Sequence, residues 1–473
     1  MKDEKRKPAK KTKHEIDMVN GPILNKMLLF ALPVMAASIL QLLFNAADII
    51  VVGRFAGDDS LAAVGSTTSL INLMVNLFVG LSIGANVLTA RYFGAHKGRE
   101  LNETLHTAVA LSLISGLVLA VIGIVFAEPI LVMMKSPEDV LNLAVVYLRI
   151  YFIGMPAMMV YNFGSAILRA RGDTQRPLYF LAISGVINVL LNLFFVIKLD
   201  MNVAGVASAT TISQVISAGM IVTCLFREEG DFRLDIRKLR IHKQRLLGIM
   251  QVGLPAGFQG VLFSLSNVLI QSAINTFGDT VIAGNSAASN LEGFVYFAMN
   301  AFYQAAISFT SQNMGAGKFE RITPIMKRSM ICVLVTGLVL GIAGYIASPL
   351  LLGIYSTSSA VIAAGTVRMA FVCAPYVLCG MMEVMVGMLR GLGYSIAPMI
   401  VSLVGACLSR IVWVTILFEV MASPPIQLVY VSYPVTWALT LMVHIFCYVW
   451  IMEHKIKPMM EAKKQRELEN AEK

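Results

Sequence analysis

Three polar side chains recur along one face of the first apolar segment of the chain. Gln41, Asn45 and Asp48 stand at positions i, i+4 and i+7, so a helix carries all three on the same side. A carboxylate inside an apolar segment is costly and needs a partner, a proton or a cation. The spacing therefore predicts that Asp48 is a functional acid. The alternative is an aspartate near the outer headgroups, paired with Arg54.

A second set of polar residues lies in two later apolar segments. Asn188 and Asn192 lie one helical turn apart, and Thr210 follows in the next segment. Carboxylate, amide and hydroxyl oxygens together suit either Na⁺ or a protonatable acid. We therefore predict a coupling-ion site beside a cavity. The site residues are Asp48, Asn188, Asn192 and Thr210, and the cavity residues are Gln41, Asn45 and Asn162. Helix-to-helix hydrogen bonding is the alternative for each asparagine alone.

The second half of the chain carries its own charges inside apolar segments, at Glu292, Glu383 and Arg410. We expect Glu383 to form an internal ion pair with Arg410 or Arg368, in preference to direct contact with a substrate. Position 270, which corresponds to Asp48 by the spacing of the repeats described below, is an isoleucine. The two halves are therefore chemically unequal.

The motifs of an enzyme or an ATP-driven pump are missing from the sequence. It contains no nucleophile motif, phosphate-binding loop or dinucleotide-binding loop. The six histidines lack metal-ligand spacing, and the six cysteines form no C-x-x-C pair and suit small packing residues. We predict a protein that is not an enzyme and holds no cofactor or metal, apart from Na⁺ at Asp48, Asn188 and Asn192 if Na⁺ is the coupling ion. Energy for transport would come from an ion gradient and not from ATP.

The composition indicates a membrane protein. Hydrophobic residues make up 57% of the chain, charged residues only 14%, and the mean hydropathy is +0.73. The apolar runs predict an all-α membrane protein with twelve transmembrane helices, six in each half. The predicted spans are 27–53, 61–90, 104–127, 141–167, 178–197, 203–225, 247–277, 284–312, 326–352, 361–388, 397–421 and 428–452.

The two halves repeat each other at a spacing of about 220 residues. LRARGDTQRP begins at Leu168 and LRGLGYSIAP at Leu389, and Leu-Pro recurs at Pro33 and Pro255. An even number of spans per repeat predicts two parallel lobes related by a pseudo-two-fold axis along the membrane normal. We also expect helix kinks at Pro33 and Pro255. The predicted domains are a tail at 1–26, an N-lobe at 27–225, a linker at 226–246, a C-lobe at 247–452 and a tail at 453–473.

The basic residues predict the orientation. Only Arg54, Lys135 and Lys198 of the 38 lysines and arginines fall in the odd-numbered gaps between spans, whereas the tails and the even-numbered gaps hold most of the others. This distribution predicts that both termini are cytoplasmic, and the basic tail from Lys2 to Lys13 would help to set that topology. It also explains the net charge of +10 without a nucleic acid partner. We expect the linker to form a short amphipathic piece on the membrane surface.

The chain resembles the multidrug and toxic compound extrusion (MATE) family over about residues 20–452. The resemblance rests on a group of segments that is specific only when taken together. They are GPILNKMLLFALP (21–33), FNAADIIVVGRF (44–55), TARYFGAHKGR (89–99), LRARGDT (168–174) and LRGLGYS (389–395). The resemblance implies a two-lobed antiporter of the bacterial cell membrane that exports organic, often cationic, compounds in exchange for H⁺ or Na⁺. We expect it to act as a monomer on small molecules within the lipid bilayer.

The resemblance also assigns residues. The first-helix aspartate of the family falls on Asp48, and its pattern of Asn and Asp four residues apart falls on Asn188 and Asn192, where the second acid is here an amide. This implies coupling in the first lobe, as in the DinF-like and related branches. A lipid-linked saccharide flippase of the wider superfamily is the main alternative. A major-facilitator transporter would carry a different loop after span 2, and an intramembrane enzyme would need clustered His and Asp ligands or a Ser–His pair.

Overall fold

A computed structural model describes residues 14–134, 138–421 and 424–471 of the 473-residue chain. Every regular element in those ranges is a helix, which agrees with the predicted all-α fold. Lys135 and the tail from Lys2 to Lys13 lie outside the described residues. The α-helices are α1 Ile23–Phe55, α2 Asp58–Gly94, α3 Gly98–Met133, α4 Glu138–Ile153, α5 Met155–Arg171, α6 Gln175–Leu193, α7 Asn202–Arg227, α8 Lys243–Ile274, α9 Asp279–Gly315, α10 Ile322–Ile346, α11 Ser348–Leu352, α12 Ser359–Arg368, α13 Val377–Leu392, α14 Ile396–Ser402, α15 Ser409–Val420, α16 Ile426–Ile451 and α17 Lys457–Ala471.

Three of the spans change to a wider, π-helical turn next to a polar or charged residue. These turns are Phe194–Lys198 after α6, Met369–Cys373 after α12 and Leu403–Leu408 between α14 and α15. A fourth, Met452–Ile456, joins α16 to α17. Such turns replace i→i+4 hydrogen bonds with i→i+5 bonds and are frequent at functional sites.

Ten helices in the described ranges are long and apolar enough to cross a membrane, and the bent pair α4–α5 makes an eleventh. The eighth predicted span, 284–312, lies in α9, which is 37 residues long but is not among those ten. Helix α9 packs against α10, α12 and α13, and its buried residues include Asn285, Glu292 and Gln312. Because these neighbours cover it, the helix tolerates polar residues that lower its hydropathy.

The described chain forms two compact units. The first contains residues 14–16 and 36–261, and the second contains 17–35 and 262–471. The first turns of α1 thus belong to the second unit, and the first half of α8 belongs to the first unit. These divisions differ from the predicted lobe boundaries at 225 and 247, which stay a prediction.

The two repeated prolines lie inside unbroken helices. Helix α1 continues through Pro33 and α8 continues through Pro255, so the expected kinks do not divide either helix. A sharp bend at a break between two helices lies between α4 and α5, where the axis turns by 46°. Gly154 lies between the two helices and Pro156 is in the first turn of α5. Proline suits this first turn because its missing N–H would have no helical acceptor there.

The segment between the halves packs against α2 and α3 of the first unit through its apolar residues. Phe232 is only 1% exposed, and its ring centroid lies 5.3 Å from that of Phe93. The backbone N–H of Asp235 donates to His106 Nε2 on α3 at 3.1 Å. Ile236 of the same segment is 67% exposed, so only part of its apolar surface is buried, and the expected amphipathic piece on the membrane surface stays a prediction.

Glycines allow α2 and α8 to approach closely within the first unit. A Cβ on Gly80 would overlap the backbone of Gly257, and a Cβ on Gly257 would overlap the carbonyl oxygen of Leu77. Gly84 likewise faces the carbonyl oxygen of Ile249. Small residues at such positions let helix backbones pack directly against each other in a membrane.

We expect Gly257→Val to lower the stability of the detergent-solubilised protein by about 1–3 kcal/mol, because backbone atoms cannot move aside as a side chain can. Gly219→Val is the matched control, since a Cβ at Gly219 meets nothing within 4 Å. Thermal unfolding of both variants measures the difference. Equal thermal midpoints would contradict the close packing of α2 on α8.

Candidate functional site

Four polar side chains from three helices form a closed set of contacts in the first unit. Asn192 Nδ2 on α6 donates to Asp48 Oδ1 on α1, and it also lies 3.4 Å from Asn188 Oδ1. Asn188 Nδ2 lies 3.3 Å from Thr210 Oγ1 on α7, and that hydroxyl lies 3.5 Å from Asp48 Oδ2. The structure thus brings together all four residues that we predicted as a coupling-ion site.

Local helix geometry explains why these residues meet. Phe44 and Asp48 are one turn apart on α1, and Gly185, Asn188 and Asn192 follow one face of α6. A Cβ on Gly185 would overlap the ring of Phe44, so only glycine permits this approach of the two helices. The amides of Asn188 and Asn192 are 4% and 0% exposed, and they are therefore held at the Asp48 carboxylate away from the surface.

A cavity of about 250 Å³ opens beside the carboxylate, entirely within the first unit. The predicted cavity residues Gln41, Asn45 and Asn162 all line it. Three tyrosines, Phe44 and Met158 also line it, which adds ring faces and sulfur to the polar groups. These tyrosines, Tyr147, Tyr151 and Tyr161, were not predicted.

The spacing of two of the tyrosines is the signal that the sequence offered. Tyr147 and Tyr151 are four residues apart on α4, and their rings stack with centroids 5.9 Å apart. An i, i+4 aromatic pair forms one face of a helix, so both rings reach the same cavity. Such a pair next to a carboxylate attracts a cation through the ring faces as well as through the charge.

The charge of Asp48 has no basic partner among the described residues. No Lys, Arg or His nitrogen there lies within 4.0 Å of its carboxylate, so the alternative ion pair with Arg54 does not form. In addition, Asn192 Oδ1 is buried and has no hydrogen-bond partner. The set therefore offers one carboxylate and one unused acceptor, which is an arrangement that takes up a proton or a small cation.

The charges of the second unit pair differently from the prediction. Arg368 donates to both carboxylate oxygens of Glu292, at 2.9 and 2.7 Å, and to Asn285 Oδ1 at 2.6 Å. The expected ion pair of Glu383 with Arg410 or Arg368 is therefore wrong. Hydropathy places each of these residues on a span, but the rotation of the spans about their axes decides which of them meet.

Three other arginines differ in their burial. Arg149 is 46% exposed and lies 3.4 Å from Glu128, itself 58% exposed. Arg171 and Arg390, at the ends of their helices, are almost fully buried. Arg171 forms ion pairs with Glu15 and Glu228 at 2.9 and 2.5 Å, which explains its burial.

The family description MatE matches residues 33–194 and again residues 255–416, together well over half of the chain. The chain belongs to the MatE family. The two matched segments correspond to the repeated halves, and the resemblance inferred from the sequence motifs is thereby confirmed. MATE proteins are transporters, so the family assignment agrees with the prediction that the chain is not an enzyme.

Relatives and solved structures agree with this assignment. The chain is 26% identical to the probable multidrug resistance protein YoeA of Bacillus subtilis over 441 residues, which cover 91% of this chain and 94% of the relative. It is 24% identical over 325 residues to an FAD transporter of Shewanella oneidensis, covering 67% and 71% of the two chains. A multidrug resistance MATE transporter solved in an outward-facing conformation superposes with a TM-score of 0.87, at 20% identity, over 96% of this chain and 100% of that chain.

The likeness to the solved transporter supports the MATE fold of twelve helices in two lobes. The helices of this MATE protein fit that number if the bent pair α4–α5 and the polar helix α9 each count as one span. It is thus a multi-pass membrane transporter.

We expect Glu292→Gln to destabilise the protein by roughly 3–5 kcal/mol, because it leaves the buried Arg368 cation without its acid. The side chains of this pair are only 5% and 8% exposed. Glu128→Gln is the matched control, because it breaks an exposed pair and should change stability by about 0.5 kcal/mol or less. Thermal unfolding in detergent compares them, and similar losses in both variants would refute the buried pair.

Proposed function

We propose that this MATE protein is a multidrug efflux antiporter that exports organic, often cationic, compounds in exchange for protons. The observation that carries the proposal is the Asp48 carboxylate, which faces an aromatic cavity and has no basic partner among the described residues. A cationic compound in that cavity would find a negative charge together with the ring faces of Tyr147 and Tyr151. Both termini would lie in the cytoplasm of a bacterial cell, and the protein would act as a monomer.

Competition for one charge would couple the two fluxes. Asp48 in its ionised form favours a bound cationic compound, whereas a proton on the carboxylate removes the attraction and favours release. One proton entering across about 100 mV and about one pH unit supplies roughly 2.3 and 1.4 kcal/mol, respectively. A one-for-one exchange with a monovalent cation is electroneutral and uses only the pH term.

The donors around the carboxylate count against Na⁺ and in this way support the proton as the coupling ion. Asn192 Nδ2 and the Thr210 hydroxyl point at its oxygens, and Asn188 Oδ1 already accepts from Asn192. A hard cation needs several oxygen ligands turned toward it. Na⁺ is the second candidate, and the buried, unpartnered Asn192 Oδ1 is the observation that favours it.

A saccharide flippase fits the cavity less well. No lysine or arginine is among the residues that line it, so a lipid-linked phosphate would meet only the Asp48 carboxylate and neutral groups there. The multidrug resistance relative supports the export of drugs, while the relative named an FAD transporter indicates that family membership by itself does not set the substrate.

We expect Asp48→Asn to abolish ion-driven efflux of a fluorescent organic cation from proteoliposomes, because the amide cannot exchange a proton. Asp279→Asn is the matched control, since Asp279 is an exposed acid at the first turn of α9. An imposed pH gradient and an imposed Na⁺ gradient, each applied alone, separate the two ions. Wild-type efflux by Asp48→Asn would overturn the proposal, and efflux driven by Na⁺ alone would replace the proton with Na⁺.

A further inference from the structure

Arg410 is a buried cation without an acidic partner in the second unit. It lies at the start of α15, directly after the π-helical turn Leu403–Leu408, and it is 3% exposed. Its Nη2 donates to Thr436 Oγ1 at 3.0 Å, and no Asp or Glu of the described residues lies within 4.0 Å of it. Its Nε–H is buried and has no hydrogen-bond partner.

Arg368, in the same unit, is neutralised by an acidic partner and can be compared with Arg410. Arg368 donates to both carboxylate oxygens of Glu292 and to the amide oxygen of Asn285. Arg410 donates to one hydroxyl oxygen and lies against the faces of two aromatic rings. Since an unmatched charge inside an apolar segment is costly, a group that is retained in this state marks a position where an anion can be bound.

Aromatic rings extend from the guanidinium group in a continuous row. The guanidinium carbon lies 4.0 Å from the ring centroid of Tyr433 and 5.7 Å from that of Trp437. The Trp437 ring lies 5.1 Å from Tyr376, which lies 6.3 Å from Tyr296. Tyr433 and Trp437 are buried, whereas Tyr376 and Tyr296 are half-buried. The row therefore leads from a more accessible end to the buried positive charge.

From this arrangement we propose that the second unit holds a binding site for the carboxylate of a planar aromatic compound. The carboxylate would accept from the free Nε–H and the remaining N–H groups of Arg410, and the flat part of the compound would stack along Trp437 and Tyr376. The inference rests on the proposed export of organic compounds. It adds that the carboxylate of an aromatic compound is recognised in the second unit, at Arg410.

A purely structural role for Arg410 predicts a different response. Arg410 would then only fill space between Tyr433 and Trp437, and its replacement would weaken the binding of every compound equally or of none. A site for a carboxylate instead predicts a loss that depends on the charge of the compound. The test therefore compares two compounds that differ only in whether their carboxyl group is free or esterified.

The probes are a rhodamine that carries a free carboxylic acid and its methyl ester. Their equilibrium binding to the full-length purified transporter in detergent is measured by fluorescence polarisation at neutral pH, without any ion gradient. We expect Arg410→Gln to weaken binding of the acid by about tenfold or more and to leave binding of the ester within about twofold. Arg410→Lys keeps the charge and should retain part of the preference for the acid.

Arg149→Gln is the matched control, because it removes an arginine that is exposed and paired at the surface. It should bind both rhodamines as the wild type does. Equal losses for acid and ester in Arg410→Gln, or no loss for either, would overturn the proposal. If Arg410→Gln does not fold, a preference for the acid that is wholly or partly retained in Arg410→Lys supports the site, and equal binding of the acid and the ester by that variant opposes it.

Two further arms separate this inference from the proposed function and from binding of simple anions. Asp48→Asn should leave the ratio of the two rhodamine affinities unchanged, even though it stops ion-driven efflux. Competition with acetate and with chloride tests whether a small anion alone fills the site. Displacement of the acid but not the ester at millimolar acetate would support the carboxylate site, and equal displacement of both by chloride would oppose it.

Discussion

A charged side chain inside hydrocarbon must find a partner, and this constraint underlies the architecture of the protein. The chain meets it in three ways. Arg368 meets an acid, Glu292, and forms a closed pair. Arg410 meets aromatic faces. Among the described residues, Asp48 meets only amides and a hydroxyl, so its charge stays available. A charge that is fully paired, as in Arg368, stabilises the fold. A charge that is not paired with an opposite charge, as in Asp48 and Arg410, can bind and release another partner.

Close approach of helix backbones brings these polar groups together. In the first unit, the amides reach Asp48 because α6 carries no side chain at Gly185, where the ring of Phe44 fits. The glycines between α2 and α8 produce a similar closeness. The lipid exerts no hydrophobic pressure between helices, so packing of this kind and polar contacts must hold them together. The site and the fold thus depend on the same small residues.

The sequence predicted what helical periodicity and hydropathy determine. Spacing alone predicts the face shared by Gln41, Asn45 and Asp48, and it also predicts the pair Asn188 and Asn192. The structure brings Asp48, Asn188 and Asn192 together with Thr210, beside the cavity that Gln41 and Asn45 line. Partners across helices could not be predicted in this way, because they depend on how far each helix is rotated and how closely it approaches its neighbour. This is why Glu292, rather than Glu383, proved to be the partner of Arg368.

The π-helical turns next to Asn192, Arg368 and Arg410 have a consequence for how these helices can change during evolution. Each such turn contains one residue more than an α-helical turn, and one residue corresponds to a rotation of about 100°. Deleting a single residue there would convert the turn to regular α-helix and leave the later side chains on their faces, because both kinds of turn complete one revolution. These three points can therefore absorb a change of one residue in length, whereas a deletion elsewhere in the same helices would rotate every later side chain by about 100°. One-residue gaps in an alignment of related chains should therefore fall at these turns.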